Sequence, residues 1–364
     1  MSADTGRALA AVMERVAATA AEVGARFPLY ADPADGRWTT TGRGSWTGGF
    51  WAGLLWLRAR YTGAGPDRRA AAACTARLAP WVAADTATRG LIFWYGTAAA
   101  GDDAEAAALR ARAAGACLSA CDPALGILPW GDALGGPRLL ARVDAVPGTV
   151  PLLAGIGPDG AAAAAAHLHR HLDLCLGRPG DGADGPWFRP ALGFETATGR
   201  WRPCEDPPPG WSRGRAWLLL AVADAMLRPD PGTAGSARLT EAAGLLLARG
   251  EVLTGRPVPP ADTARPDGPA DTSAAAITAV ALLKLARTPG PRAEQYALRA
   301  EEILDRLIRS HLTGGDGARP PGMLLDGCYD AGKGLAVRHE LVWGDFFLAL
   351  ALSALHGLVD ITRV

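Results

Sequence analysis

Trp46-Thr47-Gly48-Gly49-Phe50-Trp51-Ala52-Gly53-Leu54-Leu55-Trp56 packs three tryptophans and three glycines into eleven residues. Leu54 and Leu55 continue an apolar face between Trp51 and Trp56, which reads as the opening of a buried helix. The Thr-Gly-Gly ahead of it lets another backbone come close and leaves N–H groups free at the helix N-terminus. Such an aromatic-rimmed helix mouth suits a sugar ring, with flat faces for stacking and backbone donors for hydroxyls and carboxylates. A tryptophan-rich core helix would read the same way from these residues alone.

Working outward from this stretch, periodic i, i+3, i+4 apolar spacing recurs over residues 6–25, 47–63, 67–84, 89–100, 102–121, 147–156, 158–177, 211–228, 235–252, 271–287, 290–312 and 343–359. Strand signals are almost absent. The twelve segments alternate in character. Odd-numbered ones, such as Ala104–Cys121 and Arg292–His311, mix Ala with Arg and Glu, as a half-solvated outer layer does. Even-numbered ones, such as Trp217–Met226 and Ala274–Leu285, are apolar all round and belong inside. Six outer and six inner helices in alternation predict an all-α fold, an (α/α)6 barrel, formed as one domain over residues 1–364. Its pocket is expected where the inner-helix N-termini gather. The long irregular stretches 122–146, 178–210 and 253–270 would shape its mouth.

Composition narrows the function. Lys+Arg and Asp+Glu each count 37, so net charge is zero and neither nucleic acid nor an anionic membrane surface is an expected partner. The first residues lack a signal-peptide layout and no apolar run reaches transmembrane length, which predicts a cytoplasmic protein. The six cysteines have no zinc-site spacing and read as reduced thiols. Composition leaves a monomer or a homodimer open.

Asp144 leads the residues that can carry chemistry. It follows Leu139-Leu140-Ala141-Arg142-Val143 and precedes Pro151-Leu152-Leu153, an inner-helix start. Apolar flanks raise a carboxyl pKa by desolvation, as a general acid requires, while a helix N-terminus acts the other way. An N-capping aspartate is the plainer reading. Arg213 and Trp217, one turn apart in Trp211-Ser212-Arg213-Gly214-Arg215-Ala216-Trp217, share a helix face. Together they would hold a uronic acid, the guanidinium on its carboxylate and the indole under its ring; a structural Arg packed on Trp fits equally. Asp271 and Asp345 read as caps or tethers. His167, His169 and His171 alternate i, i+2 and are discounted as a metal site.

In order, these motifs resemble the unsaturated glucuronyl hydrolases, glycoside hydrolase family 88. The 46–56 stretch resembles that family's Trp-Thr-x-Gly-Phe-Trp-x-Gly segment. Val143-Asp144 followed by Pro151-Leu152-Leu153 resembles its catalytic stretch, and Phe194-Glu195-Thr196-Ala197-Thr198-Gly199 its Phe-Asp-Pro-x-Thr-Gly turn. Trp211–Trp217, Asp271-Thr272-Ser273-Ala274 and Trp343-Gly344-Asp345-Phe346 match further motifs. The resemblance implies an (α/α)6 barrel and a reaction unlike two-carboxylate glycoside hydrolysis. An aspartate, here Asp144, protonates the C4=C5 enol ether of a terminal unsaturated uronic acid, and water adds at C5. The implied partner is an unsaturated uronate-terminated disaccharide left by a polysaccharide lyase, with no metal or organic cofactor. Trp46, Trp130, Arg213 and Trp217 match substrate-binding positions. Thr88 stands where the family has a second aspartate and is expected to contact the substrate, its hydroxyl able to bond a sugar hydroxyl, and Pro190 and Pro203 stand where the family has polar residues. Unsaturated rhamnogalacturonyl hydrolases, a sugar-binding barrel without turnover, and an epimerase on the same barrel are the competing readings.

Overall fold

The computed structural model describes residues 3–177, 186–228, 233–314, 317 and 319–364. Its helices are α1 Ala3–Val23, α2 Gly48–Thr62, α3 Gly65–Ala76, α4 Tyr95–Thr97, α5 Ala104–Ala120, α6 Thr149–Ala154, α7 Pro158–Cys175, α8 Ser212–Met226, α9 Thr233–Arg249, α10 Thr272–Leu285, α11 Ala293–His311 and α12 Val342–Leu355. The shortest, α4, continues a π-helical turn, Gly90–Trp94, and runs on into a 3-10 turn, Ala98–Ala100. No helix among the described residues is long and apolar enough to cross a membrane.

Six elements close a ring. α2 packs on α12, α12 on α10, α10 on α8, α8 on α6, α6 on the π-helical turn, and α4 back on α2. Outside the ring α1 packs on α12, α3 on α2, α5 and α7 on α6, α9 on α8 and α11 on α10. The alternation in sequence has its physical cause here. In α10 every residue except Thr278 is buried, because neighbours cover it on all sides. In α11 only Arg299, Ala300, Ile303, Leu304 and Leu307 are buried, a single stripe at helical spacing. Buried apolar side chains from α1 through to Val364 form one contiguous cluster.

At its centre Phe50 meets Tyr95 at 5.4 Å, Phe346 at 5.4 Å, Phe347 at 5.6 Å and Trp217 at 6.1 Å between ring centroids. Truncating a residue so placed costs about 3–5 kcal/mol. The glycines of the opening motif serve this packing. A methyl group on Gly49 would lie 2.3 Å from the carbonyl oxygens of Leu91 and Ile92, and one on Gly53 would lie 2.5 Å from that of Tyr95. Close helix contact is what Gly49 and Gly53 supply, as the sequence leads one to expect of Gly49.

Two antiparallel sheets correct the expectation that strands are almost absent. β1 Phe27–Ala31, β2 Trp38–Thr41, β6 Gly327–Asp330 and β7 Leu335–Leu341 form one in the order β2-β1-β7-β6. β3 Leu140–Arg142, β4 Ala191–Glu195 and β5 Arg200–Pro203 form the other. At three to seven residues, each strand is too short for period-2 alternation to stand out. β7 runs directly into α12, and β3 runs through one 3-10 turn toward α6. Of the expected mouth loops, 253–270 folds over the start of α8, where Ser212 N–H donates to the Ala261 carbonyl at 3.0 Å. Part of the 178–210 stretch, residues 178–185, lies outside the described residues.

Candidate active site

The starts of neighbouring inner helices meet one another, which gathers them at one end of the ring. Gly90 lies so close to α6 that a methyl there would sit 2.1 Å from Thr149 N. Arg213 in α8 pairs with Asp271 at the cap of α10 at 2.7 Å. Trp46 ahead of α2 meets Trp343 in α12 with ring centroids 4.9 Å apart. The turn that carries Asp144 packs on α8.

Backbone pairing fixes Asp144. Arg142 pairs with Ala191 across β3 and β4, and Val143 N–H donates to the Pro190 carbonyl at 3.0 Å. The chain then makes one 3-10 turn, Val143–Ala145, with Val143 and Ala145 buried. Asp144 between them keeps 16 % of its side chain exposed. The residue capping α6 is Gly148, so Asp144 is not its N-cap. Nor are its surroundings purely apolar. Arg142 donates from Nε to Oδ1 at 3.0 Å and from Nη2 to Oδ2 at 3.2 Å, a bidentate ion pair. The same guanidinium lies 4.8 Å from the Trp130 ring centre. Burial disfavours its charge, and Asp144 together with the more distant Asp206 outweighs that and raises the Arg142 pKa. Trp130 is itself held by Nε1–H to the Gly135 carbonyl at 3.1 Å.

An aromatic cluster stands where the starts of α2 and α12 meet β6. Trp46 Nε1–H donates to the Tyr329 hydroxyl at 3.1 Å, and the Tyr329 ring meets Trp343 at 5.1 Å. Arg213 builds this cluster from behind. It pairs with Asp271 and donates to the Cys328 carbonyl and, at 2.6 Å, to that of Tyr329. Asp271 also accepts from Ser273 N–H at 3.1 Å and Ser273 Oγ–H at 2.6 Å, so it is both cap and tether.

Three expected ligand contacts are corrected by burial. Arg213 is 3 % exposed with its guanidinium committed inside the protein, and Trp217 is 1 % exposed within the aromatic centre. They share a face, but it points inward. Thr88, also 1 % exposed, shares a hydrogen bond with the Thr86 hydroxyl at 2.9 Å. Asp85, three residues upstream, pairs with Arg138 at 2.8 Å. Asp345 is buried and does not cap α12, whose N-cap is Leu341; burial and the neighbouring Glu340 charge push its carboxyl well up. Among the described residues no group of three or more His, Cys, Asp or Glu could hold a metal ion.

Three residues of this region received no role from the sequence, His167 and His171 having been discounted as metal ligands. Arg142 stands two before Asp144. His167 and His171 are i,i+4 neighbours on one buried face of α7, a spacing hidden by the i, i+2 triplet. The Leu128 N–H donates to His167 Nδ1 at 3.0 Å, which leaves Nε2–H facing the Ala145 carbonyl at 3.3 Å. His171 Nδ1 lies 2.8 Å from the His167 carbonyl. Burial holds both rings neutral, pushing His167 well down and His171 to about 4. The imidazole of His167 thus supports, through Ala145, the turn that presents Asp144.

No protein-family model matches the chain. A curated relative, the unsaturated glucuronyl hydrolase of Bacillus sp. (strain GL1), is 26 % identical over 359 residues, 91 % of each chain. The crystal structure of unsaturated glucuronyl hydrolase from Streptococcus agalactiae superposes with a TM-score of 0.82 at 18 % identity, covering 99 % of this chain and 93 % of that one. A mutant of the same enzyme, complexed with dGlcA-GalNAc6S, gives 0.72 at 18 % identity, covering 96 % and 90 %. The structural matches establish the fold. The sequence match over 91 % of the chain makes it a homologue of the unsaturated glucuronyl hydrolase of Bacillus sp. (strain GL1), as its ordered motifs implied.

Proposed function

We propose that this homologue of the unsaturated glucuronyl hydrolases is a single-domain (α/α)6 barrel that hydrates the C4=C5 enol ether of a terminal 4,5-unsaturated uronic acid. Asp144 acts first as general acid, giving its proton to C4, while water bonds to C5. The Asp144 carboxylate then takes the surplus proton from that water and is restored. The C5 hemiketal opens to a ketone, and C1, now a hemiacetal, releases the neighbouring sugar. One observation carries this reading: a partly exposed carboxylate, fixed by backbone on both sides, beside a guanidinium that stacks on an indole. The substrate carboxylate is an acceptor for Arg142 that competes with Asp144. Its arrival opens the ion pair and leaves Asp144 able to carry the proton. Trp130 and Trp46 supply ring faces, and Arg213, Trp217 and Thr88 support them from within.

A second reading is a sugar-binding barrel without turnover. It is favoured by Thr88, which is buried where the family resemblance expects a second aspartate. Far-ultraviolet absorbance of the unsaturated uronate separates the two. Purified protein is incubated with lyase-generated disaccharides from chondroitin, hyaluronan, heparin, gellan, xanthan and ulvan. The proposal expects absorbance to be lost with at least one of them. Saturable binding with no loss from any would support the second reading instead.

A further inference from the structure

The opposite end of the ring holds a cavity of about 620 Å³ that has no part in that reaction. Arg60 near the end of α2, Arg228 after α8 and Asp360 beyond α12 line it, joined by Arg110 of α5 and by Trp94 and Arg363. None of the residues expected to hold the sugar lies on its wall.

Cations at helix C-termini have an ordinary explanation, since they satisfy terminal carbonyls. Arg60 Nε–H donates to Ala99 at 2.6 Å, Arg110 Nη1–H to Thr97 at 3.3 Å and Arg228 Nη1–H to Asp224 at 2.6 Å. A guanidinium has five N–H groups, so these contacts leave most of the donors unused. Acceptors are scarce. Asp224 Oδ1 is held by Lys284 at 2.5 Å and lies 4.0 Å from Arg228, its Oδ2 is buried without a partner, and the residue does not line the cavity. Lys284 also takes the Val364 carbonyl. One oxygen of Asp360 accepts from Thr362 N–H at 3.0 Å and from its hydroxyl at 2.7 Å. Burial disfavours the charge of Arg110, with no carboxylate offsetting it. The Trp94 indole N–H is buried without an acceptor, and the Arg228 guanidinium lies 5.6 Å from that ring's centre. Four guanidinium groups therefore face one carboxylate side chain around a space the size of a small-molecule pocket.

We propose that this cavity binds the sulfate or phosphate group of a small anionic molecule, up to disaccharide size, at the end of the ring opposite Asp144. Planar guanidinium forks match tetrahedral oxyanions by paired N–H donation, and the partly enclosed walls limit screening by salt. The oxyanion could come free or carried on a sugar, and three probes distinguish these sources. Calorimetric titration of the full chain is run with inorganic phosphate, inorganic sulfate and N-acetylgalactosamine 6-sulfate. Saturable binding by at least one is expected. A free ion is the ligand if inorganic probes bind as tightly as the sugar, and a saccharide is the ligand if the sulfated sugar binds tighter.

Arg110→Gln and Arg363→Gln should each weaken binding roughly tenfold or more, the worth of a charge-assisted hydrogen bond. Asp360→Asn removes the opposing carboxylate and should tighten binding, an outcome misfolding cannot produce. All three variants should turn over the unsaturated disaccharide at the wild-type rate. The proposal is overturned if the wild-type protein binds none of the probes. It is equally overturned if binding is unchanged in both arginine variants, which would place the ion elsewhere.

Discussion

Arg142 and Arg213 stand ahead of or within the first turn of an inner helix, each pairs with an aspartate, and each lies against a tryptophan ring. Their circumstances then diverge. Arg213 is sealed: its aspartate is fully buried, and it donates to two backbone carbonyls besides. Arg142 and Asp144 are both partly exposed, at 22 % and 16 %, and their hydrogen bonds are chiefly to each other. The comparison teaches that an arginine–aspartate pair at a helix mouth serves the fold or the ligand according to what is left over. Unspent donors and some contact with solvent mark the second case. Arg213 holds α8, α10 and β6 together, whereas Arg142 and Asp144 face one another at the edge of the site.

That contrast can be broken from either side. Arg213→Met leaves the Asp271 carboxylate buried without its cation, which should cost about 3–5 kcal/mol of stability. Denaturant unfolding reads it, and turnover measured well below the lowered midpoint should fall far less than the stability does. Wild-type stability with lost turnover would move Arg213 into the ligand site. The layer beneath Asp144 gives a second test. An unburied histidine titrates near 6.5, whereas His171 stays neutral down to about 4. Between those values the unfolded chain takes up a proton that the folded one refuses. Stability therefore falls as pH drops from 6.5 toward 4, by about 3 kcal/mol from this residue, and is unaffected by it above 6.5. Unfolding curves across that range should be flatter in His171→Asn; equal slopes would mean the ring is not sealed. Arg142→Met should have the smaller effect on the fold, since Asp144 keeps 16 % of its side chain exposed where the Asp271 carboxylate has none. Its kcat/KM should nevertheless drop roughly tenfold to a hundredfold through loss of a charged contact. Loss of stability without loss of turnover would make Arg142 structural, like Arg213.

The helical ring was legible because its signal is periodic over many residues. Inner helices such as Thr272–Leu285 are apolar on every side, and outer ones such as Ala293–His311 on one stripe. The strands were not legible, since pairings such as Arg142 with Ala191 join residues far apart in sequence. Place in the fold was readable for Asp144 and Trp46, each in a 3-10 turn ahead of an inner helix. Orientation was not. One-turn spacing states that Arg213 and Trp217 share a face, but only the packed ring decides that the face points inward against Phe50 and Asp271. Thr88 shows the same limit, for its hydroxyl is used by Thr86 two residues away. Arg142 needed the three-dimensional pairing with Asp144 and Trp130 to acquire any meaning.

The central claim is that Asp144 moves the proton while the pocket around it only holds and orients the sugar. Asp144→Asn replaces one oxygen by nitrogen, keeps the turn, and removes the group that donates and recovers the proton. Turnover of the best unsaturated disaccharide, followed by its far-ultraviolet absorbance, should fall by about 10²–10⁴, the usual contribution of a general acid–base group. The melting transition should stay close to wild type. Undiminished turnover by a well-folded Asp144→Asn protein would contradict the account and remove Asp144 from the reaction.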